Sequence, residues 1–263
     1  MRITSRQNQK VKALADLQTT KGRREQQLTI AEGFHLFKEA LISNITIQTL
    51  ILSENIEKNE EVKTLINQNH HVIKEIIYLS DDCYNKISSQ NSPEGIAVTF
   101  QPIQQNINRV FHPNAKILAA AGIQDPGNSG AIVRICEAVG VDGCVFIGGV
   151  DIQHPKHIRG AQGSSFRLPT FVLEEHAFLE QIQIHKIPLI ASTAQTQNAI
   201  PYFNLEDKTS FALLVGAEGR GIPESLLHHA KHRIYIPMNG KVESLNVAAA
   251  AGIMLYGIMT PTV

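Results

Sequence analysis

From residue 117 to residue 259, short apolar runs alternate with longer segments of helical periodicity, and most junctions are only a few residues long. The runs at 117–121, 144–147, 168–172, 188–192, 211–215 and 234–236 read as strands. The segments at 129–139, 154–161, 174–185, 223–229 and 245–259 read as helices. Continuously apolar strands joined by helices belong in a mainly parallel sheet covered on both faces. A Rossmann nucleotide fold is the default alternative, but its fingerprint is missing. No G-x-G-x-x-G follows the first strand and no acid ends the second.

The first hundred residues alternate in the same way. Helices are expected at 7–20 (ended by Lys21-Gly22), 33–41, 60–69 and 81–88, with strands at 28–31, 48–52, 72–78 and 96–100. Residues 102–114 hold Pro102, Pro113 and several Gln and Asn without periodicity, which reads as a linker. The expected organisation is therefore a domain at 1–101, a linker at 102–114 and a second α/β domain at 115–263. A chain of 263 residues can bury a core in each.

No apolar run approaches the roughly 18–20 residues of a membrane span. Cys83, Cys136 and Cys144 form neither a disulfide framework nor a CxxC pair, which suits a reducing compartment. Arg2, Arg6, Lys10 and Lys12 precede the first acid, Asp16, in the manner of a transit peptide. Yet the segment reads as part of a folded domain, so the cytoplasm is expected. Net charge is zero but unevenly placed: residues 1–41 carry eight Lys/Arg against four acids, and residues 42–102 the reverse. Lys10, Lys12, Arg23 and Arg24 are candidate phosphate contacts, with a solvated helix face as the alternative.

Three blocks could carry chemistry. Gln124-Asp125-Pro126-Gly127-Asn128 is turn chemistry between a strand and a helix. Within that helix Arg134 stands among Ala131 and Ala138 on a face of small residues, opposite the apolar stripe Ile132, Ile135, Cys136 and Val139. Gly216-Ala217-Glu218-Gly219-Arg220-Gly221 is a loop whose backbone can approach a ligand closely, without the ending of a Walker A loop. Pro237 stops the last strand, Asn239-Gly240 turns, and Ser244 stands where a helix N-cap is expected before Leu245. A capped, buried terminal helix accounts for this last block taken alone. His228 and His232 are one turn apart, but no Cys or carboxylate completes a metal set and no metal is expected.

Taken in order, the three blocks resemble the signature of the SpoU-type (TrmH-like) ribose 2′-O-methyltransferases of the SPOUT superfamily. The opening, with Gln7-Asn8, Lys10-Val11-Lys12, Gly22-Arg23 and Ala31-Glu32-Gly33, and the turn Ser92-Pro93-Glu94-Gly95 resemble the substrate-binding extension of enzymes directed at ribosomal RNA. The resemblance implies an α/β fold: a C-terminal SPOUT-type parallel sheet with a deep trefoil knot, and a smaller L30/L7Ae-like RNA-binding domain. It implies transfer of a methyl group from S-adenosylmethionine to a ribose 2′-oxygen, with ribosomal RNA favoured, tRNA the runner-up and a non-catalytic RNA-binding protein the rival. It implies a homodimer through the C-terminal domain. It puts Arg134, Asn128, Glu218, Ser244 and Asn246 in the catalytic set, and Gly216, Ile236, Met238, Leu245 and Thr193 around the cofactor. One departure stands near Arg159: relatives commonly have Ser two positions later, where this chain has Ala161.

Overall fold

The computed structural model describes residues 1–217, 219–240 and 244–259. Two compact units emerge. The first gathers Met1–Gln104 with Gln153–Phe166, and the second gathers Gln105–Ile152 with the described residues from Arg167 onward.

The first unit opens with a two-residue strand β1 (Arg2–Ile3), too short to be seen in the sequence. The single helix expected at 7–20 is in fact two, α1 (Gln9–Asp16) and α2 (Thr20–Gln26), capped by Asn8 and Thr19. Gly22 is not the stop expected of it. It lies inside α2, where a Cβ would collide with the Asp16 backbone, so glycine there allows the turn to close. Then follow β2 (Thr29–Glu32), α3 (Phe34–Ile42), β3 (Thr49–Ser53), α4 (Glu60–Gln68), β4 (Ile76–Leu79), α5 (Asp81–Ile87) and β5 (Ile96–Phe100). The sheet runs β1-β4-β3-β5-β2, with β5 antiparallel to both neighbours and the other pairings parallel. Side chains alternate between its faces. Leu50, Leu52, Ile96, Val98 and Phe100 join one core with α3, while Ile51, Ile77, Ala97 and Ile30 join another with α1 and α5.

The second unit begins with β6 (Lys116–Ala121), α6 (Pro126–Val139) and β7 (Gly143–Ile147). The chain then crosses into the first unit for fourteen residues carrying α7 (Pro155–Ala161), which the sequence pattern alone ascribed to the second domain. Ile158 and Phe166 are buried in the α3 core, and the Phe166 ring meets Phe100 edge-on with centroids 5.3 Å apart. Thr29 pairs with Gln153, and Gly163 lies so close to Glu39 that a Cβ would strike its side chain.

Back in the second unit come β8 (Thr170–Leu173), α8 (Glu175–Ile184), β9 (Leu189–Ser192), β10 (Ile200–Pro201), β11 (Phe211–Gly216), α9 (Glu224–Leu227), β12 (His232–Tyr235) and α10 (Val247–Met259). The sheet order is β10-β12-β9-β11-β6-β7-β8, and each pairing is parallel. Central strands buried on both faces explain their unbroken apolar runs. Alternate positions such as Ile117, Ala119, Val145, Leu189 and Leu214 pack with Phe178 and Ile182 of α8 and Leu226 of α9. On the opposite face α6 packs on β7 and α10 on β11. The edge strand β8 is capped by a side chain from the expected linker: Gln105 accepts from the Thr170 amide, and its amide nitrogen reaches the Leu168 carbonyl.

Candidate active site

The loops at the C-terminal ends of β9, β11 and β12 enclose one cleft of about 680 Å³, a size suited to a small-molecule ligand. Gly216, Ile236, Met238, Leu245 and Thr193 all line it, and so does Ser244. The glycine loop forms one wall. Gly221 N–H bonds back to the Ala217 carbonyl at 2.9 Å, folding the loop over Gly216. Gly219 and Gly221 adopt positive φ of 80° and 68°, which glycine takes without strain. A Cβ on Gly216 would meet the backbone of Gly221 and come within 2.5 Å of the Ile222 nitrogen. The need for glycine here is therefore internal to the loop, before any ligand is considered. Glu218 lies outside the described residues. Gln195, Ala250 and Met254 also line the cleft and were missed. Val247, Ala250 and Met254 recur at spacings of three and four, which could have marked the inner face of α10.

The helix after the cleft begins later than expected. Its first residue is Val247, so Asn246 and not Ser244 is the N-cap. Asn246 Oδ1 accepts from the amides of Ala248 and Ala249 at 3.0 and 3.3 Å. With that oxygen committed to the helix, the Asn246 side-chain NH2 reaches across to α6 and donates to Asn128 Oδ1 at 3.1 Å. Asn128 sits in the first turn of α6, where its amide is capped by Asp125 Oδ1 at 2.9 Å. Further along, Ile135 of α6 packs on Gly252 of α10 at 3.6 Å from an ideal Cβ. The two helices thus run side by side in parallel, and their N-terminal ends, each carrying a partial positive charge, come together at the asparagine pair.

Arg134 is exposed on α6, six residues beyond Asn128 or about 9 Å along the helix axis. Cys136, one turn away from Ile132, is no nucleophile: burial pushes its thiol well up, and the neighbouring Cys144 adds to the effect. Among the described residues no three His, Cys, Asp or Glu side chains converge as a metal site.

The four basic candidates of the first unit separate on inspection. Arg23 is only 4% exposed and its guanidinium donates to the Leu17 carbonyl at 2.8 Å and to Thr20 Oγ1 at 3.2 Å. It holds the α1–α2 junction and is not displayed to a ligand. Lys10 is ion-paired with Glu75, while Lys12 and Arg24 stand exposed.

A cleft with a glycine backbone wall, apolar side chains from Ile236, Leu245 and Met254, and hydroxyls from Thr193 and Ser244 fits S-adenosylmethionine, whose base is flat and whose tail is charged and polar. Comparison with known proteins agrees. The sequence profile of the SpoU rRNA methylase family matches residues 115–256, and that of the MRM3-like substrate binding domain matches residues 8–98. The 23S rRNA (guanosine(2553)-2′-O)-methyltransferase RlmP of Bacillus subtilis is 31% identical over 97% of this chain and 97% of its own length. A crystal structure of an RNA 2′-O ribose methyltransferase superposes with a TM-score of 0.85 at 30% identity, covering 98% of both chains. An AdoMet-bound rRNA methyltransferase from Sinorhizobium meliloti superposes with a TM-score of 0.86 at 25% identity, covering 98% of this chain and 97% of its own. The chain belongs to the SpoU rRNA methylase family: it is an S-adenosylmethionine-dependent methyltransferase that acts on the ribose 2′-hydroxyl of RNA.

Proposed function

We propose that the substrate is large-subunit ribosomal RNA and that the target is a guanosine ribose. The observation that carries this is the end-to-end match to RlmP, which runs through the substrate-binding unit as well as the methyltransferase region. Mapping 2′-O-methyl sites in 23S-type rRNA and tRNA, from cells with and without this protein, tests it. A lost mark in tRNA with rRNA unchanged sinks the reading.

Gly216, Ile236, Met238, Leu245 and Thr193 hold the cofactor, which when bound supplies the electrophilic methyl group. The 2′-hydroxyl must lose its proton as its oxygen bonds to that methyl, and Ser244 and Asn246 cannot act as bases near neutral pH. Asn246 orients Asn128, whose own NH2 is left to donate toward a substrate oxygen. Arg134, a planar cation with several donors, fixes a phosphate and stabilises the developing alkoxide while water takes the proton. Glu218 has a supporting place.

The enzyme works in the cytoplasm as a homodimer through α10, and its C-terminal domain carries the family's trefoil knot. Support for the dimer is an apolar patch: Ile253 and Tyr256, one turn apart on α10, are 39% and 52% exposed. Phe203 is also exposed, on a turn that contacts α10 through the neighbouring Tyr202 ring on Gly257. Ile253→Glu or Tyr256→Glu should yield monomers by light scattering; an unchanged mass removes α10 as the interface. No described helix is long and apolar enough to cross a membrane.

A further inference from the structure

Two of the four cations expected to meet RNA are occupied within the first unit, yet another cation there is better prepared. Arg159, at the end of α7, is half-buried, and its Nη1 donates to Ser89 Oγ at 3.2 Å. The Ser89 hydroxyl in turn donates to Glu32 Oε1 at 2.8 Å, and the Ser89 amide to the same oxygen at 3.0 Å. Gln18 Nε2 adds a bond to Oε1 at 3.1 Å, and the Ser88 hydroxyl donates to Oε2 at 2.5 Å. Glu32 is 5% exposed and sits at the end of β2, so this hub is a fixed part of the unit.

The order of the bonds has a chemical consequence. The Ser89 hydrogen is committed to Glu32, so its lone pair faces Arg159 and holds the guanidinium by one of five N–H donors. The buried carboxylate balances the charge at one remove and leaves the rest of the fork open. Among the described residues no carboxylate lies within ion-pair distance of Arg159, whereas Arg2 pairs with Glu54 and Glu57 and Arg6 with Asp82. Of the unit's remaining arginines, Arg23 is buried on the Leu17 carbonyl and Arg24 is exposed with no comparable anchor. Beside Arg159 the loop after α5 displays Ser89, Asn91 and Ser92 to solvent. A pre-oriented planar cation next to amides and hydroxyls suits bidentate capture of a phosphodiester oxygen pair.

The geometry points to Arg159, with the 88–92 loop, as an RNA phosphate-binding site, and to Ser89 and Glu32 as the residues that position it. This rests on the reading that the chain methylates RNA. The test uses the full chain and a transcript spanning the rRNA segment equivalent to the guanosine named for RlmP. Equilibrium binding at several salt concentrations is measured separately from single-turnover methylation. Arg159→Gln should weaken binding about tenfold and lower the salt slope by about 0.7–0.9, the value of one phosphate contact. Its rate at saturating RNA should stay within about twofold of the parent. Arg159→Lys should keep the slope with a weaker affinity, because charge is retained and the fork lost. Ser89→Ala should weaken binding in the same direction by less. Arg159→Gln with parent affinity and slope overturns the site, and so does a lower melting temperature with an unchanged slope, which would make Arg159 a structural counter-charge alone. Should Arg159→Gln not fold, parent-like affinity in Arg159→Lys overturns it. A parent that binds the transcript but never methylates it fails the functional reading and leaves the binding comparison able to decide this one.

Discussion

Asn246 donates its side-chain NH2 to Asn128 Oδ1 at 3.1 Å while its own oxygen caps α10. One side chain therefore ends a helix and orients a neighbour, two roles that substitution can separate. Asn246→Ser keeps a good cap and removes the donor, so stability should fall by less than about 0.5 kcal/mol. Asn246→Ala should cost about 1 kcal/mol, the usual value of a lost cap. Both should slow single-turnover methylation by a similar factor. If Asn246→Ser keeps the parent rate, the pair is structural only.

Arg134→Ala should lose most of the methylation rate, roughly a hundredfold or more if it stabilises developing charge. Cofactor affinity by calorimetry should stay at the parent value, since Arg134 is not among the residues around the cleft. Arg134→Lys should retain part of the rate through its charge. Parent-rate methylation by Arg134→Ala would remove it from the chemical step.

Bulk at Gly216 is a poor probe of the cofactor, because a Cβ there strikes the Gly221–Ile222 backbone whether or not ligand is bound. Ala250 offers a cleaner one, being half-buried, helical and on the cleft wall. Ala250→Leu should weaken S-adenosylmethionine binding at least tenfold with a melting temperature within a few degrees of the parent. Gly216→Val should instead lower the melting temperature outright. Unchanged affinity in Ala250→Leu argues against the cofactor lying along α10.

Arg23 and Lys12 should part company although both were candidates for the same task. Arg23→Ala removes a buried guanidinium with bonds to Leu17 and Thr20, and should cost about 2 kcal/mol of unfolding free energy. Lys12→Ala should leave stability alone and reduce the salt slope of RNA binding. Denaturant melts and salt titrations on the two variants give the answer directly.

What could be read from the chain was what is encoded locally. The strand runs at 117–121 and 211–215 stand out because both faces are covered, and the glycine loop and Pro237 mark turns by their own backbone limits. The cleft residues Gly216, Ile236 and Leu245 followed from the family signature, and they do meet in space. The errors lie where a distant partner decides. Arg23 looks like any helix-surface cation until the Leu17 carbonyl is seen beneath it. Ser244 and Asn246 are both good caps by residue type, and the start of α10 at Val247 chooses between them. Glu32 gave no sign of its buried bonds with Ser88 and Ser89, some 56 residues away.

The passage of Gln153–Phe166 into the first unit sets an order for synthesis. A nascent chain that has emerged only as far as Gln104 holds all five strands of the N-terminal sheet, but not Ile158 and Phe166, whose side chains complete its core. Removing a buried Phe typically costs about 3–5 kcal/mol, a large share of what a domain of this size has to spare. The unit that opens the chain therefore finishes folding only after two strands and a helix of its successor have been translated, and a fragment cut at the linker would be left waiting for a piece that is encoded beyond it.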